Sequence, residues 1–315
     1  MSRVLSTAGS VRRPLLSRQL RRDLHAYLFL MPWLIGLLVF TAYPMIASFY
    51  FSLTKYTILN PPRWVGFENY AKMFTDDQLF WTSVGNTVFY TLLSVPLGLA
   101  VALGLALLLN QRAFGVGIYR TIFYLPSLVP VVASALLWKV MLDPQLGLVN
   151  SSLEAIGLPR LGWFASAAWS KPGLILMSLW VGSGGAMLIF LAGLKDVPQS
   201  LVEAAMIDGA NRWQRLWHVV IPLLTPTIFF NLIIGIISSF QIFGTALVAG
   251  GAGGSAGPLN SLLMYMVLLY RHAFRFFEMG YASAMAVVMF IVLVLLTLVV
   301  VRSSDYWVHY EVGRR

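Results

Sequence analysis

The sequence predicts an all-α integral membrane protein with six transmembrane helices. Of its 315 residues, 58% are hydrophobic and 11% are charged, whereas soluble domains carry about 25% charged residues. The chain also contains long windows without Asp, Glu, Lys or Arg, and a membrane-spanning helix needs about 20 apolar residues. These windows place the predicted spans near 27–51, 83–109, 119–141, 173–194, 218–243 and 281–301.

The distribution of basic residues predicts that both termini are cytoplasmic. The tail 1–25 holds six Arg and one Asp, and a basic segment beside a first hydrophobic helix marks the cytoplasmic side rather than a nucleic-acid site. With six crossings, the inside segments hold 14 Lys and Arg and the outside loops hold eight. We therefore divide the chain into a cytoplasmic N-terminal tail (1–25), a transmembrane domain (26–301) and a cytoplasmic C-terminal tail (302–315), with membrane lipid and no nucleic acid as surroundings.

The predicted outer loops differ in composition. The loops 52–82 and 142–172 are rich in the aromatic residues that favour a membrane interface. The outer segment 244–280 begins with a glycine run and then holds an apolar stretch from Leu262 to Tyr270, which is too short to cross a bilayer. We expect this stretch to pack against the bundle or dip into it, either as part of a gate or as a simple interfacial helix.

The interiors of the predicted spans contain no Asp, Glu, Lys or Arg. Ionisable groups at membrane depth are costly and are usually functional, so a proton relay or an ion-coupled site is not expected. The four His lie far apart at the flanks of the spans, and Cys is absent. No metal-binding, phosphate-binding or serine-nucleophile motif occurs. We expect no catalytic residue, metal or cofactor on this chain, and any energy for transport must come from another protein.

The inner loop 195–217 carries helix signals between two long apolar segments. Pro198 suits the first helical position, and Ser200 and Glu203 have the spacing of a capping box. Asp208-Gly209 should end this helix. A second stretch follows, with apolar residues at helical spacing, namely Trp213, Leu216, Trp217 and Val220. Because an anionic inner leaflet would repel Glu203 and Asp208, a basic protein partner fits this loop better than lipid does.

This loop carries a family resemblance. The run Glu203-Ala204-Ala205, followed by Asp208-Gly209-Ala210, resembles the EAA loop of bacterial ABC-importer permeases. Further segments resemble the sugar-permease branch: Tyr124-Leu125-Pro126, Trp138, Gly147 to Asn150, Leu191 to Leu194, and Gly280 to Ala284. The ending from Arg302 to Tyr310 is similar to the MalF/UgpA type of subunit. The resemblance implies the MetI-like or MalF-like permease fold, with an EAA coupling helix in 195–217, in the bacterial inner membrane.

The resemblance also implies partners and roles. This chain would pair with a second, MalG/UgpE-like permease, dock on an ABC ATPase dimer that binds ATP and Mg, and receive a sugar, oligosaccharide or polyol from an extracytoplasmic solute-binding protein. In the loop, Glu203 would pair with a basic group on the ATPase, and Gly209 would make the turn. The other coupling residues would sit close to the ATPase or pack in its groove, and these are Leu201, Ala204, Ala205, Ile207 and Asp208.

The fifth span supplies the candidates for the substrate path. Four polar residues could contact sugar hydroxyls, namely Asn231, Ser238, Ser239 and Gln241. Phe240 and Phe243 could stack on a pyranose face. The alternative for each is a structural role, as an interhelical hydrogen bond or a lipid-facing ring.

Three other functions stay open at this stage. The chain could be a self-sufficient secondary carrier or channel, or an ABC permease for a non-sugar solute such as glycerol phosphate. It could also be a membrane enzyme acting on lipid or isoprenoid. That last function needs a carboxylate or histidine cluster at the interface, and none is visible in the sequence.

Overall fold

Long apolar helices form most of the computed structural model, which describes residues 18–111, 114–251 and 256–309. The predicted tails fall partly outside this range, at 1–17 and 310–315. The helices are α1 (Arg18–Leu37), α2 (Tyr43–Ser52), α3 (Glu68–Thr75), α4 (Gln78–Leu109), α5 (Val116–Tyr124), α6 (Val131–Met141), α7 (Leu148–Ala155), α8 (Ala167–Asp196), α9 (Gln199–Ile207), α10 (Arg212–Arg215), α11 (Ile221–Phe240), α12 (Gly244–Ala249), α13 (Tyr265–Phe274) and α14 (Met279–Trp307).

Five of the predicted spans are continuous helices of sufficient length and apolar character to cross a membrane. They are Tyr27–Ser52, Gln78–Leu109, Ala167–Asp196, Arg212–Phe240 and Met279–Trp307. The first and fourth each contain one π-helical turn, at Leu38–Ala42 and Leu216–Val220. The last span continues to Trp307, so the beginning of the predicted C-terminal tail is still helix.

The third span is not the single helix that the sequence predicts over 119–141. It consists of Val116–Leu128 and Val131–Met141, which meet at an angle of 100°. Val129 and Pro130 lie between them in extended conformation, with ψ of 133° and 136°. A proline disfavours helical geometry in the residue before it and has no N–H to donate, so Pro130 breaks the helix. Within the described residues, the fold therefore has five continuous spans and one bent pair.

A short hairpin interrupts the helices on the side predicted to be outside, called the outer side below. β1 (Thr54–Thr57) and β2 (Asn60–Trp64) pair antiparallel, with Thr54 opposite Trp64, so the chain is not entirely α-helical. The hairpin lies against the start of α14, where an added Cβ on Gly280 would collide with the carbonyl oxygen of Thr54. Only glycine allows this approach.

The apolar stretch predicted over Leu262 to Tyr270 packs against the bundle, as expected. Leu262, Leu263 and Met264 are fully buried, and the chain then enters α13, which contacts α4 and α14. Here the largest buried cluster joins α13 to α4, α6, α8, α12 and α14. A second cluster lies where α4, α8 and α11 meet. The possible role of this stretch in a gate stays a prediction.

Candidate functional site

The inner loop forms two short helices, but their first cap differs from the prediction. Helix α9 begins after Pro198, and no side chain caps it, so the capping box predicted from Ser200 and Glu203 is wrong. The capping box occurs at the next helix instead. Asn211 Oδ1 accepts from the backbone N–H of Gln214 at 2.9 Å, and Gln214 Oε1 accepts from the N–H of Asn211 at 2.7 Å. The spacing Asn-x-x-Gln is the signal that sequence reasoning missed.

Helix α9 ends at Ile207, and Asp208-Gly209 terminates it as predicted. The N–H of Ala210 donates to the carbonyl of Ala205 at 2.9 Å, and the N–H of Gly209 donates to that of Met206 at 3.1 Å. These two bonds define a Schellman motif, which needs a left-handed residue after the helix. Gly209 supplies it with φ of +80°. The turn joins α9 to α10, which leads through the π-helical turn into α11.

The predicted coupling residues form an exposed surface. No residue of α9 is buried, and the Ile207 side chain is 87% exposed and that of Leu201 46%. Glu203, Ala204, Asp208 and Gly209 are exposed, and Ala205 is half-buried. Neither Glu203 nor Asp208 has an ion-pair partner among the described residues. The surface thus combines apolar side chains with unpaired carboxylates.

A cavity of about 690 Å³ lies between α4, α8, α11 and α12. Five of the six predicted substrate-path residues line it, namely Asn231, Ser238, Ser239, Gln241 and Phe243. Phe240 does not line it, although its half-buried ring packs against the main buried cluster as that of Phe243 does. The cavity lining holds no charged side chain among the described residues.

Sequence reasoning missed the polar residues that the other helices contribute. Tyr90 donates its hydroxyl hydrogen to Ser178 Oγ at 2.7 Å, which links α4 to α8 at the cavity wall. Ser94 and Ser183 line the wall as well. Tyr90 and Ser94 are four residues apart on α4, and this spacing on an apolar helix could have indicated one polar face.

The predicted polar residues of α11, and Gln241 directly after it, differ in whether their side chains already make hydrogen bonds within the protein. Ser239 is buried and donates to the carbonyl oxygen of Ile236 at 2.8 Å. The Asn231 amide donates to the carbonyl oxygen of Thr227 at 2.9 Å. Ser238 and Gln241 are exposed to the cavity space. Ser238 and Gln241 are therefore the best placed to bind a solute.

Polar side chains of four elements meet on the outer side, in what we call the outer ionic cluster: Lys72, Asp77, His272, Glu278 and Tyr281. Glu278 contacts Lys72 Nζ at 3.3 Å and His272 Nδ1 at 2.8 Å, and Tyr281 donates to Asp77 Oδ2 at 2.6 Å. Burial alone would raise the pKa of Glu278, but the hydrogen bond from His272 and the charge of Lys72 outweigh it and lower that pKa. The cluster joins α3 and the start of α4 to α13 and α14.

Comparison with known proteins places this architecture in a family. Residues 94–309 match the family described as binding-protein-dependent transport system inner membrane component. The chain is 45% identical to the probable ABC transporter permease protein YesP of Bacillus subtilis, over 94% of this chain and 95% of that protein. It is 30% identical to the trehalose/maltose transport system permease protein MalF of Thermococcus litoralis, over 89% and 93% of the two chains.

A solved structure shares the fold as well. One chain of a bacterial ABC transporter involved in the import of the acidic polysaccharide alginate superposes with a TM-score of 0.80 and 25% identity, over 91% of this chain and 97% of that chain. The same transporter has been solved with an alginate pentasaccharide-bound periplasmic protein. The chain is thus an integral membrane permease of the ABC type. It belongs to the family of binding-protein-dependent transport system inner membrane components.

Proposed function

We propose that this chain is one of two permease subunits of an ATP-driven importer, and that it helps to form the path for a sugar, oligosaccharide or polyol. The named solutes of its relatives support a carbohydrate. The cavity supports it too, because its polar atoms are hydroxyls and amides, the groups that exchange hydrogen bonds with sugar hydroxyls.

The observation that carries the coupling role is the exposed surface of α9. A helix that leaves Ile207 and Leu201 exposed, with Glu203 unpaired, gains stability if a partner covers it. In the proposal that partner is an ABC ATPase dimer, which binds ATP and Mg and hydrolyses the ATP. Closure of the dimer would move α9, and the Schellman turn would transmit that movement through α10 to α11, which lines the cavity.

The remaining partners follow from the same proposal. A second permease would cover part of the surface of Tyr27–Ser52, whose most apolar window has no buried residue within this chain. An extracytoplasmic binding protein would deliver the solute on the outer side. Both termini would be cytoplasmic, and the membrane would be the bacterial plasma membrane. Within the path, Ser238, Gln241 and Asn231 would bind hydroxyls and Phe243 would stack on a sugar ring.

The test of this proposal is Glu203→Lys in the complete transporter. We expect loss of ATPase co-purification and of ATP-dependent uptake, because a lysine would repel the basic group that Glu203 is proposed to meet. Glu154→Lys, a charge reversal on the outer helix α7, is the matched control and should keep ATPase binding. Normal ATPase binding and uptake by Glu203→Lys would overturn the docking role. Uptake into vesicles by the purified chain alone would instead show a self-sufficient carrier or channel.

A further inference from the structure

A lysine amino group lies at the outer end of the seam between α4 and α8. Lys171 Nζ donates to Asn86 Oδ1 at 3.0 Å and lies 4.8 Å from the centroid of the Phe89 ring. Both contacts join the first turns of α8 to α4. The cation is half-buried rather than extended into solvent.

A buried amide fixes the position of this cation. Asn86 is 6% exposed, and its Nδ2 donates to the carbonyl oxygens of Asn260 at 2.9 Å and Leu263 at 3.2 Å. Because both amide hydrogens are occupied, Oδ1 has to point at Lys171 and accept from it. Lys171 is thus held by Asn86, which is itself buried and hydrogen-bonded, so its ammonium is positioned before any ligand binds.

No carboxylate compensates the charge of Lys171 within ion-pair distance among the described residues. The carboxylates of Glu278 and Glu154 pair with other partners, Lys72 and Arg160. The contacts of this ammonium with the described residues are to neutral groups, the Asn86 amide oxygen and the Phe89 ring, so they do not neutralise its charge. A lysine that only extended towards water would not be tied to a buried amide, so the arrangement favours an anion that arrives from outside the chain.

The position of Lys171 relates it to the cavity. Helices α4 and α8 both run inward from outer loops, and Lys171 precedes the cavity residue Ser178 by seven residues, which is about 10 Å along a helix. Asn86 precedes Tyr90, the hydrogen-bond partner of Ser178, by one turn. Lys171 is therefore outside the uncharged cavity lining, about two helical turns to the outer side of Ser178, on the side from which a solute would enter.

We propose that Lys171 selects carbohydrates that carry a negative charge, such as a uronate carboxylate, over neutral ones. This inference rests on the proposed function and names its substrate class. The family alone does not decide the matter, because one relative is named for trehalose and maltose and another for the acidic polysaccharide alginate. The ammonium would bind the carboxylate while the hydroxyls and amides of the cavity bind the rest of the sugar.

The test measures uptake by cells that express the complete transporter with its own second permease, ATPase and binding protein. The probes are a radiolabelled trigalacturonate and the neutral galactotriose. The variants are Lys171→Met, Lys171→Gln and Lys171→Arg, and the control is Lys139→Met, which removes an exposed lysine at the end of α6. Because the binding protein is unchanged, a change in the ratio of the two uptakes reports the permease.

We expect the wild type to prefer the uronate, and Lys171→Met to lower the acidic-to-neutral ratio about tenfold, since hydrogen bonds to charged groups are among the stronger ones. Lys171→Gln keeps a donor for Asn86 and should lower the ratio equally, while Lys171→Arg and Lys139→Met should keep it. An unchanged ratio in both Lys171→Met and Lys171→Gln would overturn the inference, and so would a wild type that imports only the neutral sugar. Neither result would contradict the proposed function as a carbohydrate permease. Absence of ATP-dependent import of either sugar would count against the proposed function as well.

Discussion

Thr225 Oγ1 donates a hydrogen bond to the carbonyl oxygen of Pro222 at 2.7 Å, inside the first turns of α11. That carbonyl lacks its usual partner, because Pro226 stands four residues later and has no N–H. The same hydroxyl oxygen accepts from the backbone N–H of His309 at 2.9 Å. The Thr225 hydroxyl thus donates the hydrogen bond that Pro226 cannot donate. It also connects the chain after α14 to the first turns of α11.

Thr225→Val should destabilise the protein by about 1–3 kcal/mol, because it leaves the Pro222 carbonyl and the His309 N–H unsatisfied without changing side-chain volume. Thermal unfolding of the purified permease in detergent measures this as a lower Tm. The control is Thr121→Val, since the exposed Thr121 hydroxyl only bonds back within its own helix. Equal Tm values for the two variants would contradict the assignment.

Gly184→Ala should destabilise the contact between α8 and α5. An added Cβ would lie 2.5 Å from the carbonyl oxygen of Phe123 and 3.0 Å from Tyr124 Cα. Those atoms are backbone and cannot turn away, so we expect a loss of about 1–3 kcal/mol, typical of overpacking. Gly185→Ala is the adjacent control, because its Cβ would meet nothing within 4 Å. Fluorescence-detected thermal unfolding compares them, and a Gly184→Ala variant as stable as the control would refute the close approach.

Acid should weaken the outer ionic cluster through Glu278. Because its pKa in the folded protein is below the ordinary value of 4.5, Glu278 stabilises the fold above that value, and the effect is lost as the pH falls through the lowered pKa. Glu278→Gln should therefore lower Tm at pH 7 and reduce the further loss of Tm on going to pH 4. Glu154→Gln controls for the removal of one carboxylate from an outer loop. A Glu278→Gln variant with the full wild-type loss of Tm would contradict the role of this group.

The residues at the end of α11 and Gln241 directly after it should separate into solute-binding and packing groups. Ser238→Ala and Gln241→Leu should raise the KM for uptake of the transported carbohydrate about fivefold or more, since each removes a hydrogen-bonding group from the cavity. Phe240→Leu should lower Tm and leave KM unchanged, because that ring packs against the buried cluster and does not line the cavity. Initial rates over a range of solute concentrations give KM. A raised KM for Phe240→Leu with normal values for the other two would reverse the assignment.

The sequence by itself determined five of the apolar spans, the place of the helical loop between the spans predicted near 173–194 and 218–243, and the turn at Gly209. These features depend on local properties: the length of apolar windows, the run of charges, and the need of one backbone position for a residue without Cβ. The cap of α9 was mispredicted although its signal is local too, because α9 begins directly after Pro198 and Ser200 therefore lies inside the helix rather than at its N-cap.

Only the tertiary structure decided which polar residues face one another. The bend at Pro130 allows α12 to pack against α6, and the resulting arrangement leaves a cavity to which α4 and α8 bring Tyr90 and Ser178. Phe240 and Phe243 look alike in the sequence and both pack against the main buried cluster, yet Phe243 lines the cavity and Phe240 does not. Lys171 is an ordinary flanking lysine in the sequence. It becomes a fixed cation only because Asn86, bound to the carbonyls of Asn260 and Leu263, holds it in place. Contacts between residues far apart in the chain depend on helix packing, which local patterns do not specify.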